Sequence, residues 1–268
     1  MSGSGNDFVF VDGRQSPAAE WPPERIRRVC DRNNGVGSDG LVVLEPGPKP
    51  DHLNFTYFNA DGSRGELCGN ASLCSAVFAA RFGLASDRMV LQTDVGPVSA
   101  EILDEKDELA RIGLPDIETP GQAPIERLEN ESEAWFLTVG VPHVILKMAG
   151  QNPETSDVEG RGRVLRYDPS LGQAGANINF LTQLPSGKWR MRTYERGVEA
   201  ETLACGTGAT ASAAALAAAG IVELPWTVTT SSGEDLTISG DLDRASGEVK
   251  DVKLTGHGRY LFEAHLAF

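Results

Sequence analysis

Cys68 and Cys205 each open a Cys-Gly pair at the head of a run of small residues: Cys68-Gly69-Asn70 before Ala71 to Ala80, and Cys205-Gly206-Thr207-Gly208 before Ala209 to Ala219. A cysteine at the start of a helix meets the positive end of the helix dipole and unsatisfied backbone N–H groups. Both favour a thiolate near neutral pH. Two such groups suit proton transfer at a chiral carbon, because inversion by deprotonation needs a base on one face and an acid on the other. The working pair is then one thiolate and one thiol, titrating as coupled sites. The glycines admit close approach of backbone to a ligand, so the N–H groups of Gly69-Asn70 and Gly206-Thr207 are expected to hold a substrate α-carboxylate. As the α-proton leaves, the same donors stabilise the developing charge, each worth about 3 kcal/mol. Such a site needs no pyridoxal phosphate.

The elements that must position these thiols are themselves repeated. Phe55-Thr56-Tyr57-Phe58-Asn59-Ala60-Asp61-Gly62 leads to Cys68, and Met191-Arg192-Thr193-Tyr194-Glu195-Arg196-Gly197 leads to Cys205. The turn residues Asn59 and Glu195 precede their cysteines by nine and ten positions. The period is too long for a solenoid and points instead to duplicated domains about a pseudo-twofold axis. If the halves face each other across a cleft, one thiol lies on each side of the ligand.

The two small-residue helices have no charged face, so each should be wrapped by protein on all sides. A curved sheet around a central buried helix is the simplest architecture that provides this. Short apolar runs bounded by Gly, Asp and Pro predict strands at Phe8–Val11, Leu41–Leu44, Asn54–Phe58, Met89–Thr93, Phe136–Val139, Val144–Lys147, Asn177–Leu181, Trp189–Tyr194, Thr227–Thr230 and Val249–Thr255. A further helix is opened by Pro22-Pro23, with Ile26, Val29 and Cys30 on one face, and stopped by Asn33-Asn34-Gly35. The proline-rich segment Pro115 to Pro124 marks the domain boundary. An amino-terminal domain of residues 1–113 and 257–268 carries Cys68, and a second of residues 114–256 carries Cys205.

Composition narrows the function classes. The 268 residues suffice for two domains, and the net charge of −14 argues against nucleic-acid or anionic-membrane partners. No stretch approaches a bilayer span, and no basic-then-apolar leader is evident, so a soluble cytoplasmic protein is expected. Four dispersed cysteines read as reduced thiols, with Cys30 and Cys74 in the core. Metal-ligand spacing is absent. A Cys-His nucleophile using His143 leaves the second Cys-Gly copy without a role. Gly206-Thr207-Gly208 lacks the ending of a phosphate loop. His52, His257 and His265 read as surface or packing residues, and Asp104 to Glu108 as a solvated loop.

The sequence closely resembles the diaminopimelate epimerase family. The resemblance rests on Gly3-Ser4-Gly5-Asn6-Asp7-Phe8, Gly35-Val36-Gly37-Ser38-Asp39, Asn59-Ala60-Asp61-Gly62-Ser63, Cys68-Gly69-Asn70, Pro142-His143, Asn177-Ile178-Asn179-Phe180, Glu195-Arg196-Gly197 and Glu201-Thr202-Leu203-Ala204-Cys205-Gly206-Thr207-Gly208, in family order over nearly the whole chain. It implies an α+β fold of two similar pseudo-symmetric domains, each a curved, barrel-like mixed sheet around a central buried helix, assembled as a homodimer. It implies that Cys68 and Cys205 exchange protons with the substrate, with His143 and Glu195 close to the reaction centre. Asn6, Asn59, Asn177, Glu195 and Arg196 are implied to bind substrate, and Gly69-Asn70 and Gly206-Thr207 to hold the reacting carboxylate. Arg196 also suits a bidentate clamp on a distal carboxylate. The implied reaction is cofactor-independent interconversion of LL- and meso-2,6-diaminopimelate in lysine and cell-wall precursor biosynthesis.

Some positions depart from the family pattern. The chain begins almost at Gly3, Val141 stands where Asn is usual, Gly40 where Gln is common, and Ala71-Ser72-Leu73 in place of Gly-Ala-Arg. One additional residue separates Arg196 from Cys205. Two rivals follow: a related racemase of a proline-type amino acid, against which Asn70 speaks because those relatives carry Cys-Gly-His, and a silent amino-acid-binding protein, against which both retained cysteines speak.

Overall fold

A computed structural model describes residues 1–150 and 152–266. The chain divides into two compact units, Met1–Gly113 with the segment from Thr255 onward, and Leu114–Leu254. The division falls just before the proline-rich segment, and the strand Val249–His257 returns the chain to the first unit. Ala267 and Phe268, the last positions of the expected amino-terminal domain, lie outside the described residues.

In the first unit β1 (Ser2–Gly3) and β2 (Asn6–Asp12) are followed by α1 (Pro23–Cys30), β3 (Gly40–Pro46), β4 (His52–Asn59), β5 (Arg64–Gly65), α2 (Gly69–Arg81), β6 (Arg88–Thr93), β7 (Gly96–Asp104) and β8 (Leu109–Gly113). β2 pairs parallel with β3, β3 antiparallel with β4, β4 parallel with β6, and β6 to β8 form an antiparallel meander. After β9 (Gly121–Gln122) the second unit repeats the order: β10 (Glu131–Val139), β11 (Val141–Met148), α3 (Val158–Arg166), β12 (Asn177–Gln183), β13 (Trp189–Glu195), β14 (Ala200–Thr202), α4 (Gly206–Ala218), β15 (Trp226–Thr229), β16 (Asp235–Leu242) and β17 (Val249–His257). Its pairing repeats too: β11 parallel with β12, β12 antiparallel with β13, β13 parallel with β15, and β15 antiparallel with β16.

Each unit is a mixed sheet covered on both sides. Every residue of β3 from Gly40 to Leu44 is buried, because alternate side chains meet different helices. Leu41, Val43 and Phe58 pack with Trp21, Ile26, Val29 and Cys30 of α1 and its approach. α1 starts at Pro23, where a missing N–H costs nothing, and fully buries Ile26 and Val29, each worth roughly 1.5–3 kcal/mol. It ends at Cys30, sooner than the Asn-Asn-Gly stop suggested. α2 and α4 occupy the other side of their sheets. All residues from Gly69 to Ala79 and from Gly208 to Ala217 are buried, as the absence of a charged face predicts. Their hydroxyls survive burial by bonding back one turn: Ser72 to the Cys68 carbonyl, Ser75 to Ala71, Thr210 to Gly206 and Ser212 to Gly208.

All ten strands read from the sequence are present. The sequence reading lacked α3, β7, β8 and β16, and the short strands β1, β5, β9 and β14. α3 was hidden by Gly160 and Gly162, which depress helix propensity. Both glycines have packing reasons: a Cβ on Gly162 would lie 2.4 Å from the Tyr194 Cβ, and one on Gly160 would lie 2.2 Å from the carboxylate of Asp157, the helix cap. β7 opens on Gly-Pro, and β16 carries an internal Gly240, both poor strand signals.

Candidate active site

Each cysteine is the N-cap of its buried helix, in nearly the same extended conformation: φ −133° and ψ 117° at Cys68, φ −129° and ψ 106° at Cys205. Both helices run thirteen residues. The thiols differ in surroundings. Cys68 is part-exposed and makes no side-chain cap bond. Cys205 is buried, and its Sγ accepts from the Gly208 amide at 3.3 Å, lies 3.5 Å from Thr207 Oγ1 and lies 3.9 Å from Asn177 Nδ2.

In the first unit the structure ties Asn6 to Asn70. Asn70, buried in the first turn of α2 beside Gly69, donates from Nδ2 to Asn6 Oδ1 at 2.6 Å. Asn6 Nδ2 in turn donates to Asp39 Oδ2 at 3.1 Å. Arg32 grips this cluster, with 2.8 Å bonds to both oxygens of Asp7 and a 2.7 Å bond to Asp39. Asn59, at the end of β4 and opposite Gly40, donates from Nδ2 to Ser63 Oγ at 3.0 Å. Gly40 faces Tyr57: a Cβ there would lie 2.7 Å from the ring and 2.6 Å from the Phe58 carbonyl, so the ring fills the space a longer side chain would need.

In the second unit, strand alternation sorts residues into two layers. Val144, Ile178, Phe180 and Tyr194 belong to a core cluster with Val158 and Leu165 of α3. Their alternates, His143, Asn177, Asn179, Thr193 and Glu195, therefore share the opposite face, the one covered by α4. His143 lies directly across the parallel ladder from Asn177, and Asn179 across the antiparallel one from Thr193. Asn177 Oδ1 accepts the Arg196 amide at 2.8 Å, which fixes the turn carrying Arg196, and Thr202 Oγ1 donates to Glu195 Oε2 at 2.8 Å. His143 is fully buried. Burial first, and then Arg196, lower its imidazole pKa to about 3, against a smaller opposing pull from the Val139 backbone.

The structure thus gathers His143, Asn177, Glu195, Arg196, Cys205, Gly206 and Thr207 around the start of α4. It gathers Asn6, Cys68, Gly69 and Asn70 around the start of α2. The same registers place Phe8, Gly40, Val42, Tyr57 and Asn59 where the second unit has His143, Asn177, Asn179, Thr193 and Glu195. The two halves are alike in backbone and unlike in lining, one mostly apolar and one polar. Among the described residues no cluster of His, Cys, Asp and Glu could hold a metal ion, and no helix is long and apolar enough to cross a membrane.

The sequence profile described as diaminopimelate epimerase matches residues 1–116 and 135–250. The chain belongs to the diaminopimelate epimerase family. It is similar to the diaminopimelate epimerase of Gemmatimonas aurantiaca, at 40% identity over 100% of this chain and 98% of that one. The diaminopimelate epimerase of Aquifex aeolicus is 35% identical over 100% and 96%, and that of Archaeoglobus fulgidus 34% over 99% and 94%. Among solved structures, a probable proline racemase from Agrobacterium radiobacter with bound carbonate superposes with a TM-score of 0.72 at 15% identity, covering 99% of this chain and 91% of that one. A hydroxyproline epimerase from Agrobacterium vitis with bound trans-4-hydroxy-L-proline gives 0.68 at 17%, covering 96% and 86%. These likenesses establish the fold, an α+β architecture of two similar units.

Against this epimerase frame, sequence reasoning missed the residues that hold others in place: Asn179, Thr193, Thr202, Asp39 and Arg32. Asn179 carried a signal, since the alternation Asn177-Ile178-Asn179 puts two amides on one face of a strand. Arg32 carried none and Asp39 stood in a matched motif without an assigned role, because nothing in the sequence brings residues from three separate segments together.

Proposed function

We propose that this chain interconverts LL- and meso-2,6-diaminopimelate without a cofactor, with Cys68 and Cys205 as proton acceptor and donor at one stereocentre. One observation carries the reading: in a chain of this family, two cysteines cap two matching buried helices in the same backbone conformation. The thiolate of one takes the α-proton, and the thiol of the other delivers a proton to the opposite face. The helix-start amides of Gly69-Asn70 and Gly206-Thr207 receive the α-carboxylate and the charge that moves onto it. An N–H aimed at Cys205 Sγ is the contact a thiolate accepts.

The remaining assignments belong to the same proposal. Asn6, Asn59, Asn177, Glu195 and Arg196 bind the substrate, Arg196 by clamping its distal carboxylate, and His143 and Glu195 flank the reacting carbon. The two domains, residues 1–113 with 257–268 and residues 114–256, supply one thiol each. The enzyme works as a cytoplasmic homodimer in lysine and cell-wall precursor synthesis, a reading supported by the family it belongs to.

The test is incubation with LL-diaminopimelate in deuterated water, following Cα exchange by mass spectrometry or NMR. Deuterium at one α-carbon with conversion to the meso form supports the proposal. Turnover of a proline-type amino acid instead would replace the substrate assignment, and ligand binding with no exchange of any amino acid would remove the activity.

A further inference from the structure

His143 is the one ionisable ring buried within the second unit's polar layer, and its two nitrogens are treated very differently. Nδ1 lies 3.2 Å from Asn179 Nδ2, while Nε2 is buried without a hydrogen-bond partner. Which nitrogen carries the proton follows from the groups around Asn179. The Val144 carbonyl, 3.1 Å from that amide, can only accept, so the amide edge facing it is the NH2. The other edge, Oδ1, receives the Thr193 hydroxyl at 2.9 Å. The Val144 carbonyl therefore fixes the orientation, and the Thr193 hydroxyl, able to donate, is compatible with it: one amide proton is on the Val144 carbonyl and the second is aimed at His143 Nδ1. A nitrogen that accepts this proton carries none of its own.

We propose that Asn179 is a positioning residue that locks His143 as the neutral Nε2–H tautomer, making the ring a fixed hydrogen-bond donor. In the free protein this donor makes no well-formed hydrogen bond, the Val139 backbone carbonyl pulling only weakly on the ring, and a fully buried donor so poorly met argues that a better acceptor arrives with the ligand. A carboxylate oxygen is the ligand group of matching chemistry. Resting on the epimerase reading above, this makes His143 a stabiliser of negative charge at the substrate and removes it from the list of bases.

The surroundings keep the ring in that state. Along the same face, β12 presents only the uncharged amides of Asn177 and Asn179, and β10 presents Leu137 across the ladder. The ionisable groups nearest it on that face are Glu195 and Arg196 at the end of β13 and Cys205 at the start of α4, while Glu133 of β10 lies further along the ladder, paired with Lys147. Arg196 disfavours a positive imidazolium, in the same direction as burial. Gly208 leaves room for the device: a Cβ there would lie 2.3 Å from Asn179 Oδ1 and 3.2 Å from Cys205 Sγ, so the amide that sets the tautomer packs against the helix start that carries the thiol.

The test reads the ring directly. In the 15N-labelled full chain, the His143 signals are identified by their loss in His143→Gln, and long-range proton–nitrogen correlations report which nitrogen is protonated. The expected result is a protonated Nε2 and bare Nδ1, unchanged across roughly pH 5 to 8, where an ordinary histidine titrates. Asn179→Asp puts an acceptor opposite Nδ1. The ring should then move its proton to Nδ1 at high pH and become charged at lower pH. Epimerase kcat should fall roughly 10- to 100-fold at high pH, the range commanded by an orienting partner of a functional histidine. It should recover as pH falls and the imidazolium restores an Nε2–H. A purely structural role would not produce that recovery. If Asn179→Asp does not fold, Asn179→Ala serves: with no donor on Nδ1, the two neutral tautomers should mix. A proton on Nδ1 in the wild type overturns the proposal, as does a pure neutral Nε2–H ring in every folded Asn179 variant. Because the tautomer is read without substrate, failure of the wild type to turn over diaminopimelate would count against the proposed function alone.

Discussion

The Gly208 amide donates to Cys205 Sγ at 3.3 Å, and only the lack of a side chain on Gly208 lets it do so beside Asn179. Gly208→Ala sets two effects against each other. An alanine in a helix interior is worth up to about 1 kcal/mol over glycine. Here its Cβ would meet Asn179 Oδ1 at 2.3 Å, and Asn179 is pinned by Thr193, Val144 and His143. Overpacking of this kind costs roughly 1–3 kcal/mol, so the net change should be destabilising. Urea denaturation should show a lower midpoint with an unchanged slope, accompanied by loss of turnover. A more stable, fully active variant would show that the amide is free to move.

Removing either thiol should abolish epimerisation, since each supplies a proton-transfer step typically worth roughly 10²–10⁴-fold. The two variants should differ in stability. Cys205→Ala leaves the buried Gly208 N–H without its acceptor, a loss of about 1 kcal/mol or more. Cys68 holds no helix-start amide and is part-exposed, so Cys68→Ala should lose less stability than Cys205→Ala. Paired denaturation curves with Cα-proton exchange assays check both halves. Substantial exchange in either variant would refute the two-cysteine assignment.

How legible this molecule is in its sequence depends on how local the signal is. The small-residue helices announce their burial because no charged face exists to meet water, and the Cys-Gly pairs mark their starts. The strands of both sheets that carry the site are apolar and bounded by turns. What escaped was non-local. Gly160 and Gly162 look like helix breakers until Tyr194 is seen pressing on the helix. Gly40 looks like a missing binding residue until the Tyr57 ring is found in its place. The lining of the two halves could not be compared without the register, because matching His143 with Phe8 requires knowing which residues face each other across the ladders.

Arg32 illustrates the same point, as a cation from the α1–β3 connection that organises Asn6 on β2. It bonds both oxygens of Asp7 and one of Asp39, whose other oxygen holds Asn6. Burial pushes the Asp7 carboxyl up, but the Arg32 bonds and the Asp39 amide more than offset it and hold the group below its ordinary range. A lowered folded pKa gives stability that is present above the unfolded value and lost as pH falls through the folded one. Arg32→Met should weaken that acid-side dependence, leaving only the part the Asp39 amide supplies. The guanidinium is more than half exposed, so the stability change at neutral pH should be about 1 kcal/mol or less. With Asp39 no longer fixed by Arg32, Asn6 and its partner Asn70 should bind substrate less well, raising KM by up to about tenfold with kcat little changed. Arg32→Lys should restore only part, since an ammonium cannot bridge the two carboxylates with a planar fork. A fall in kcat with KM unchanged would place Arg32 outside substrate binding.

The buried imidazole makes an opposite-sounding prediction with the same acid-side sign. His143 takes up a proton in the unfolded chain near 6.5, but in the folded protein only near about 3. Between those values the unfolded state binds more protons, so stability from this residue rises with pH through that window and is flat above it. The contribution is at most about 5 kcal/mol, and relaxation around the charged ring would reduce it. His143→Gln cannot charge, so the difference in unfolding free energy between wild type and variant should shrink as pH falls from neutrality toward 4. The carboxylates shared by both proteins cancel in that difference, which isolates the ring. A wild-type-minus-variant difference that stays constant over this range would mean that His143 is protonated in the folded protein as readily as in the unfolded one, and the neutral donor would be lost with it.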